Sequence, residues 1–323
     1  MNTLRSYHAA CTLGNGKVLV TGGTDGSMTW NSAELYDSTT GTWTITGNMN
    51  TARQKHVATL LSNEKLLVTG GSNLGTYLNS AELYDSSTGI WTLTGNMNVA
   101  RQYHTATSFG NGNVLVAGGS NGSAGLFSTE LYNISTAIWT TTGSMTNARY
   151  YHAASIIGNE SVLIAGGLKP GFILNGAEIY NSSTGIWTPT GNMIFARFYH
   201  TISLLTNGKL LVTGGSNGSM TLNSAELYDP ASSTWTATGN MNSVRQKHAA
   251  IVLTNGQVLV TGGSDGSNIL KTAELYDPST GIWSITGNMS ITRNLHTISK
   301  LGNGKVLVAG GVNPTYLNSA EFY

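Results

Sequence analysis

The sequence predicts an all-β protein: seven antiparallel sheets of four strands each, closed into a propeller, with the last sheet lacking its outer strand. Three observations predict it. Gly-Gly pairs begin at 22, 70, 118, 166, 214, 262 and 310, a constant interval of 48 residues. Every histidine (His8, His56, His104, His152, His200, His248, His296) and every arginine (Arg5, Arg53, Arg101, Arg149, Arg197, Arg245, Arg293) keeps that interval. No stretch carries the periodicity of a helix, whereas each unit carries four short strand signals separated by turn signals. A fixed period of this length marks units that bury their faces against neighbours.

The chain therefore reads as one domain of six units, 1–48, 49–96, 97–144, 145–192, 193–240 and 241–288, and a shorter last unit, 289–323. In the first unit HAACTL is the first strand. GNGK follows it, and its Asn-Gly suggests a two-residue type I′ hairpin turn. KVLVTGG is a continuous apolar run closed by glycines, as expected of a strand buried on both faces. SAELYD and TWTITG supply the third and fourth strands. One such sheet cannot bury two apolar faces, but a closed ring of them has no exposed end face. In the last unit the sequence stops after its third strand, at SAEFY. An open outer edge is expected there, either because the chain is part of a longer protein or as a place for two copies to pair.

Gly22-Gly23, Tyr36 and Trp43 set a spacing that recurs through Gly262-Gly263, Tyr276 and Trp283. This spacing resembles the kelch family, whose repeats end the second strand on a double glycine and place Tyr in the third strand and Trp in the fourth. The Arg-x-x-His before the first strand, as in Arg197-Phe198-Tyr199-His200, is a further likeness. The resemblance spans the whole chain. It implies a kelch β-propeller, a fold used as an interaction scaffold and, in galactose oxidase, as the body of an enzyme.

The repeated polar residues read as scaffold. Glu34, Glu82, Glu130, Glu178, Glu226, Glu274 and Glu321 recur once per unit, like the arginines. Antiparallel strand order puts Arg197, the double glycine and the glutamate of each unit at one end of a blade, so a ring of Arg–Glu pairs is expected. Trp187 and its equivalents read as packing between blades. His200 and its equivalents read as inter-blade hydrogen bonding, because a ring spreads imidazoles around an axis whereas metal ligands converge to about 2 Å from one ion. Cys11 fills a slot held elsewhere by Thr59, Thr107, Ser155, Ser203 and Ser299. The family's copper enzymes are implied to need a cysteine cross-linked to a tyrosine and ligands on distinctive loops. Here the loops are nearly uniform and no catalytic constellation stands apart from the repeat. No catalytic residue, cofactor or metal site is expected.

Partner-specific information should then lie where units differ. The loop after each Gly-Gly and the two residues after each arginine vary most, and both fall on one face. Apolar departures gather around blades four and five: Tyr150, Tyr151, Phe172, Ile173, Ile194, Phe195, Phe198 and Tyr199. They are expected to meet on one side of the channel mouth, either as a binding patch for a protein or glycan, or as local packing in which Phe172 and Phe195 cover each other. The reading is a non-catalytic binding module, with the scaffold of a galactose-oxidase-like enzyme and a purely structural array as alternatives. A net charge of +1 with 10% charged residues gives no basic field for nucleic acid or an anionic membrane. No apolar run approaches the roughly 20 residues of a membrane span. The low charge and Ser/Thr/Asn-rich surface lean toward an extracellular or cell-surface setting, where six Asn-x-Ser sequons, at Asn121, Asn133, Asn159, Asn181, Asn217 and Asn288, would matter, although MNTLRSYHAACTL has no apolar export core.

Overall fold

A computed structural model describes residues 1–323. The strands form seven antiparallel blade sheets and three two-stranded hairpins in the loops after Gly71, Gly167 and Gly311, with no helix anywhere. In blade one the order from the axis outward is Ala9–Thr12, Val18–Thr21, Ala33–Asp37 and Thr42–Ile45. Blades two to six repeat it, and blade seven has three strands, Thr297–Lys300, Val306–Ala309 and Ala320–Phe322. The second strand is buried on both faces in each blade, as in Val18, Leu19, Val20 and Thr21. The outer strands are mostly exposed except for the tryptophan.

The core lies between blades rather than within them. Leu19 and Ala33 of blade one pack against Leu66, Val68, Tyr84 and Trp91 of blade two, with Met49 of the link between them. Trp91 also reaches back across the joint, its Nε1 donating to the Gly47 carbonyl at 2.8 Å. Closure uses the same link contacts, without the outer-strand one, since blade seven has three strands. Gly311 N–H donates to the Arg5 carbonyl at 2.8 Å, just as Gly23 N–H donates to that of Arg53 at 2.9 Å. Blade one thus docks on blade seven as blade two docks on blade one, and no strand is exchanged.

The Asn-Gly turn departs from expectation. A type I′ turn needs both central residues at positive φ, yet at this turn only Gly16 is left-handed, at φ 79°. Gly16 N–H donates to the Leu13 carbonyl, and Leu13 N–H to that of Lys17. The loop is a three-residue one, a tight turn followed by a left-handed glycine. Asn15 contributes through its side chain, whose Oδ1 accepts from Lys17 N–H at 3.1 Å.

Candidate functional site

The face carrying the inter-blade links is built around the repeated arginines. Arg197 is fully buried, and its Nη1 donates to the carbonyls of Gly214 at 2.6 Å and Ser224 at 3.2 Å. Its Nη2 donates to Ser224 Oγ and to Glu226 Oε1, at 3.1 and 2.6 Å. Each arginine pairs with the glutamate of its own blade, Arg149 with Glu178 at 2.7 Å for instance. The carboxylate does a second job. Glu226 accepts from the backbone N–H groups of Ile194 and Phe195, at 2.6 and 3.2 Å, and so pins the incoming link. The double glycine follows from the same geometry. A Cβ on Gly22 would sit 2.3 Å from the Arg53 carbonyl, and Gly22 has φ 58°, a conformation glycine adopts without cost.

The histidines stitch neighbouring blades together. His56 Nε2 meets Thr21 Oγ1 at 3.0 Å, His104 meets Thr69 at 2.9 Å, and His8 meets Thr297 at 2.9 Å across the closure. His200 departs from this pattern: neither ring nitrogen has a partner. The threonines that would serve it are replaced by Ala153 and Ala165 in blade four. Burial, reinforced by the neighbouring arginines, holds the imidazoles of His8, His200 and His296 down to about 3. They are neutral at physiological pH.

The two residues after each arginine, alike in sequence, separate in space. The first pairs with the strand end behind the double glycine, in bridges such as Tyr150 to Leu168 and Phe198 to Ser216. The second is left-handed in all seven links: Tyr7, Lys55, Tyr103, Tyr151, Tyr199, Lys247 and Leu295 have φ between 52° and 58°. A non-glycine residue held there costs of order 1–3 kcal/mol, so seven in register mark a constraint imposed by the ring. The consequence is directional: all seven side chains line one cavity of about 320 Å³ on the propeller axis.

Tyrosines and lysines fill its mouth. Tyr151 stacks with Tyr103 and with Tyr199, ring centroids 4.1 Å apart in each case. Lys55 Nζ lies 5.4 Å from the Tyr7 ring and 5.1 Å from that of Tyr103, and Lys247 lies 4.9 Å from Tyr199. Burial lowers the affinity of both ammonium groups for their proton. Burial also raises the hydroxyls of Tyr7, Tyr103 and Tyr199. Neither lysine has a carboxylate partner. The lysine ion pairs of the chain, Lys17–Asp37, Lys65–Asp85 and Lys209–Asp229, lie on the opposite face.

The apolar residues singled out around blades four and five divide into two groups. Tyr150, Tyr151, Phe198 and Tyr199 form one aromatic cluster, linked by ring pairs at 5.0 to 6.5 Å besides the 4.1 Å stack. Phe172, Ile194 and Phe195 stand on the rim, 67%, 55% and 44% exposed. Phe172 and Phe195 do not cover each other; Lys169 Nζ lies over the Phe172 ring, 5.3 Å from its centroid. Ile173 leans on the next blade, its Cδ1 against Gly218. Sequence reasoning missed Lys55, Lys247, Tyr7 and Tyr103. The signal that could have found them was the second residue after every arginine taken as one ring.

Comparison with known proteins bears on the family. The model of the KLHDC2/KLHL20/DRC7 kelch-repeat domain matches residues 103–311, and the kelch motif matches residues 5–50 and 55–98. No curated protein matches the chain. Among solved structures, a fungal alcohol oxidase of the AA5 family in complex with copper superposes with a TM-score of 0.77 at 20% identity. The match covers 95% of this chain and 70% of that one, a likeness of fold. No three His, Cys, Asp or Glu side chains come together to hold an ion. The Cys11 thiol sits on an inner strand, with burial raising it to about 11. With the kelch-repeat domain model matching more than half of the chain and the kelch motif matching the blades before it, the chain belongs to the kelch-repeat family and folds as a seven-bladed kelch β-propeller.

Proposed function

We propose that this propeller is a non-catalytic binding module that takes a protein partner on the inter-blade-link face, at the axial mouth. One observation carries the reading. Lys55 and Lys247 sit half-buried among stacked tyrosines without a carboxylate of their own. A desolvated ammonium group gains most from an anion brought to it, and tyrosine hydroxyls add donors around the same point. The complementary ligand is an acidic side chain or terminal carboxylate of a protein, held by a flanking aromatic surface.

Affinity capture from source extract with wild type and with Lys55→Ala/Lys247→Ala tests this. The double variant should lose the partner, and salt should weaken the wild-type complex. Equal capture by both, at all salt concentrations, overturns the reading. Glycan binding is a second reading, favoured by the exposed faces of Phe172 and Phe195, on which sugar rings can stack. A glycan array with Phe172→Ser/Phe195→Thr separates the two. Service as the body of an alcohol-oxidase-like enzyme has only the fold behind it, and copper-dependent turnover would establish it. Pairing of two copies through the edge of blade seven has less support, because each copy would offer the other an edge without tryptophan.

A further inference from the structure

We propose that the axial cavity binds a free small molecule, a short dicarboxylate with an apolar spacer, held at one end by Lys55 and at the other by Lys247. The inference rests on the reading of these lysines as an anion site, but not on the anion belonging to a protein. The placement of the two ammonium groups carries it. Both lysines line one cavity, Lys55 from blade two and Lys247 from blade six. In a ring of seven left-handed residues they stand as far apart as the ring allows. Tyr103, Tyr151 and Tyr199 separate them on one arc, Leu295 and Tyr7 on the other.

Backbone fixes where the two poles stand. Lys55 N–H donates to the Tyr7 carbonyl at 2.9 Å, and the Lys55 carbonyl accepts from Tyr103 N–H at 3.3 Å. Across the mouth Lys247 N–H donates to the Tyr199 carbonyl at 3.1 Å, and the Lys247 carbonyl accepts from Leu295 N–H at 3.2 Å. Each lysine is therefore stitched into the ring on both sides. Their heads are steered by different tyrosines. Lys55 Nζ sits by Tyr7 and Tyr103, whose rings meet edge to face at 6.1 Å, and Lys247 Nζ lies against Tyr199. A site whose poles are set before the ligand arrives loses less freedom on binding.

The rest of the wall adds no charge. No aspartate or glutamate lines the cavity, and burial keeps its six histidines neutral at physiological pH. What remains is two separated positive poles on an aromatic floor. With each head against its own tyrosine, a single-centre anion such as sulfate pairs with one pole and leaves the other bare. Two carboxylates on one molecule meet both, and once the first is bound the second binds as an intramolecular group. The spacer then lies on the stack of Tyr103, Tyr151 and Tyr199, which offers apolar ring surface to carbon. The volume of about 320 Å³ is at the small end of small-molecule sites, which suits a short diacid rather than a large cofactor.

The test is calorimetric titration of the intact chain with malonate, glutarate, pimelate and azelate, against pentanoate, sulfate and inorganic phosphate. At least one diacid should bind one-to-one, at least about tenfold tighter than the three comparison anions, with affinity peaking at one chain length. Lys55→Met and Lys247→Met keep the side-chain stem, and each alone should cut that diacid to the level of pentanoate. Lys55→Arg, which keeps the charge, should retain most of the binding. Failure of every diacid to bind saturably overturns the proposal, and so does equal binding by phosphate or sulfate. These wild-type comparisons stand even where a variant folds poorly. Tight binding retained in either methionine variant overturns it as well. The two readings of the lysines fail separately. Lysine-dependent capture of a protein with no diacid binding sinks this proposal alone, whereas lysine-dependent diacid binding with capture unchanged in the double variant sinks the protein reading alone.

Discussion

The arginine wall and the axial ring lie two residues apart in the same seven links, yet they obey different rules. At the wall, Arg197 spends its Nη groups on two carbonyls, a serine and a glutamate, all inside one blade. At the ring, Tyr199 and Lys247 are held by backbone as strictly, Lys247 N–H donating to the Tyr199 carbonyl at 3.1 Å. Their side chains, however, are satisfied only by stacking. The wall keeps one arginine, one glutamate and two carbonyl acceptors in every blade around the circle; the ring mixes four tyrosines, two lysines and a leucine on one backbone conformation. What is paired internally seven times builds the molecule. What is positioned seven times and left unpaired is free to serve a partner.

The largest effect expected is acid unfolding through the buried histidines at the blade joints, three residues on from the wall. His8, His200 and His296 are held down to about 3 by burial, against an ordinary value near 6.5. Between these values the unfolded chain binds protons that the folded chain does not. Stability is therefore complete above pH 6.5 and falls as pH is lowered toward 3, by about 1.4 kcal/mol per pH unit for each such histidine. Thermal melts from pH 7.5 to 4 should show Tm dropping steeply below 6.5, with the acid form expanded. A flat profile would mean that the imidazoles accept protons in place.

Next in size is the wall itself. Arg197→Ala strands the buried Glu226 carboxylate and the Gly214 and Ser224 carbonyls, a loss of about 3–5 kcal/mol for a broken buried pair. Tyr199→Ala, two residues on, should cost far less, since its ring borders an open cavity. Urea midpoints of the two variants measure the contrast directly, and equal losses would dissolve the distinction between wall and ring.

The fold was legible because its physics repeats. Seven copies of Gly-Gly, Arg and His at one interval, with a glutamate in every unit, point to a ring of like blades, and blade seven is three-stranded as the sequence indicates. The turn type was not legible, because Asn-Gly satisfies both a two-residue turn and the observed three-residue loop with Gly16 left-handed. The candidate site was half legible. Tyr150, Tyr151, Phe198 and Tyr199 stand out as departures from the repeat, and they do meet. Which of each pair turns to the axis depends on backbone φ, and nothing in Gln-Lys or Phe-Tyr announces that the second residue will be left-handed. Lys55 and Lys247 were invisible for the same reason: on a strand or a loop rim they would be two solvated lysines.

A third contrast concerns binding rather than folding. Lys55→Ala/Lys247→Ala should leave the free energy of unfolding within about 1 kcal/mol of wild type, because neither lysine has an ion-pair partner to strand. If the ring serves a ligand, the same variant should weaken capture at least tenfold, and a variant that binds normally while melting early would place the lysines on the structural side.

The smallest effect is the sharpest, because it adds a wall contact instead of removing one. His200 is the histidine whose Nε2 finds no hydroxyl, since Ala153 stands where blades three and seven carry Thr105 and Thr297, and Ala165 where blades one, two, five and six carry Thr21, Thr69, Thr213 and Thr261. The four threonines at the Ala165 position are themselves buried, so the slot accommodates the larger side chain where it occurs. Ala165→Thr should place a hydroxyl against His200 and stabilise the joint between blades four and five by about 1 kcal/mol, the net worth of one hydrogen bond. A double-mutant cycle with His200→Phe isolates that term. If the threonine stabilises equally in both backgrounds, the gain comes from filling space. If it stabilises only with His200 present, the wall of this joint was one hydroxyl short, at the place where the aromatic cluster meets the axis.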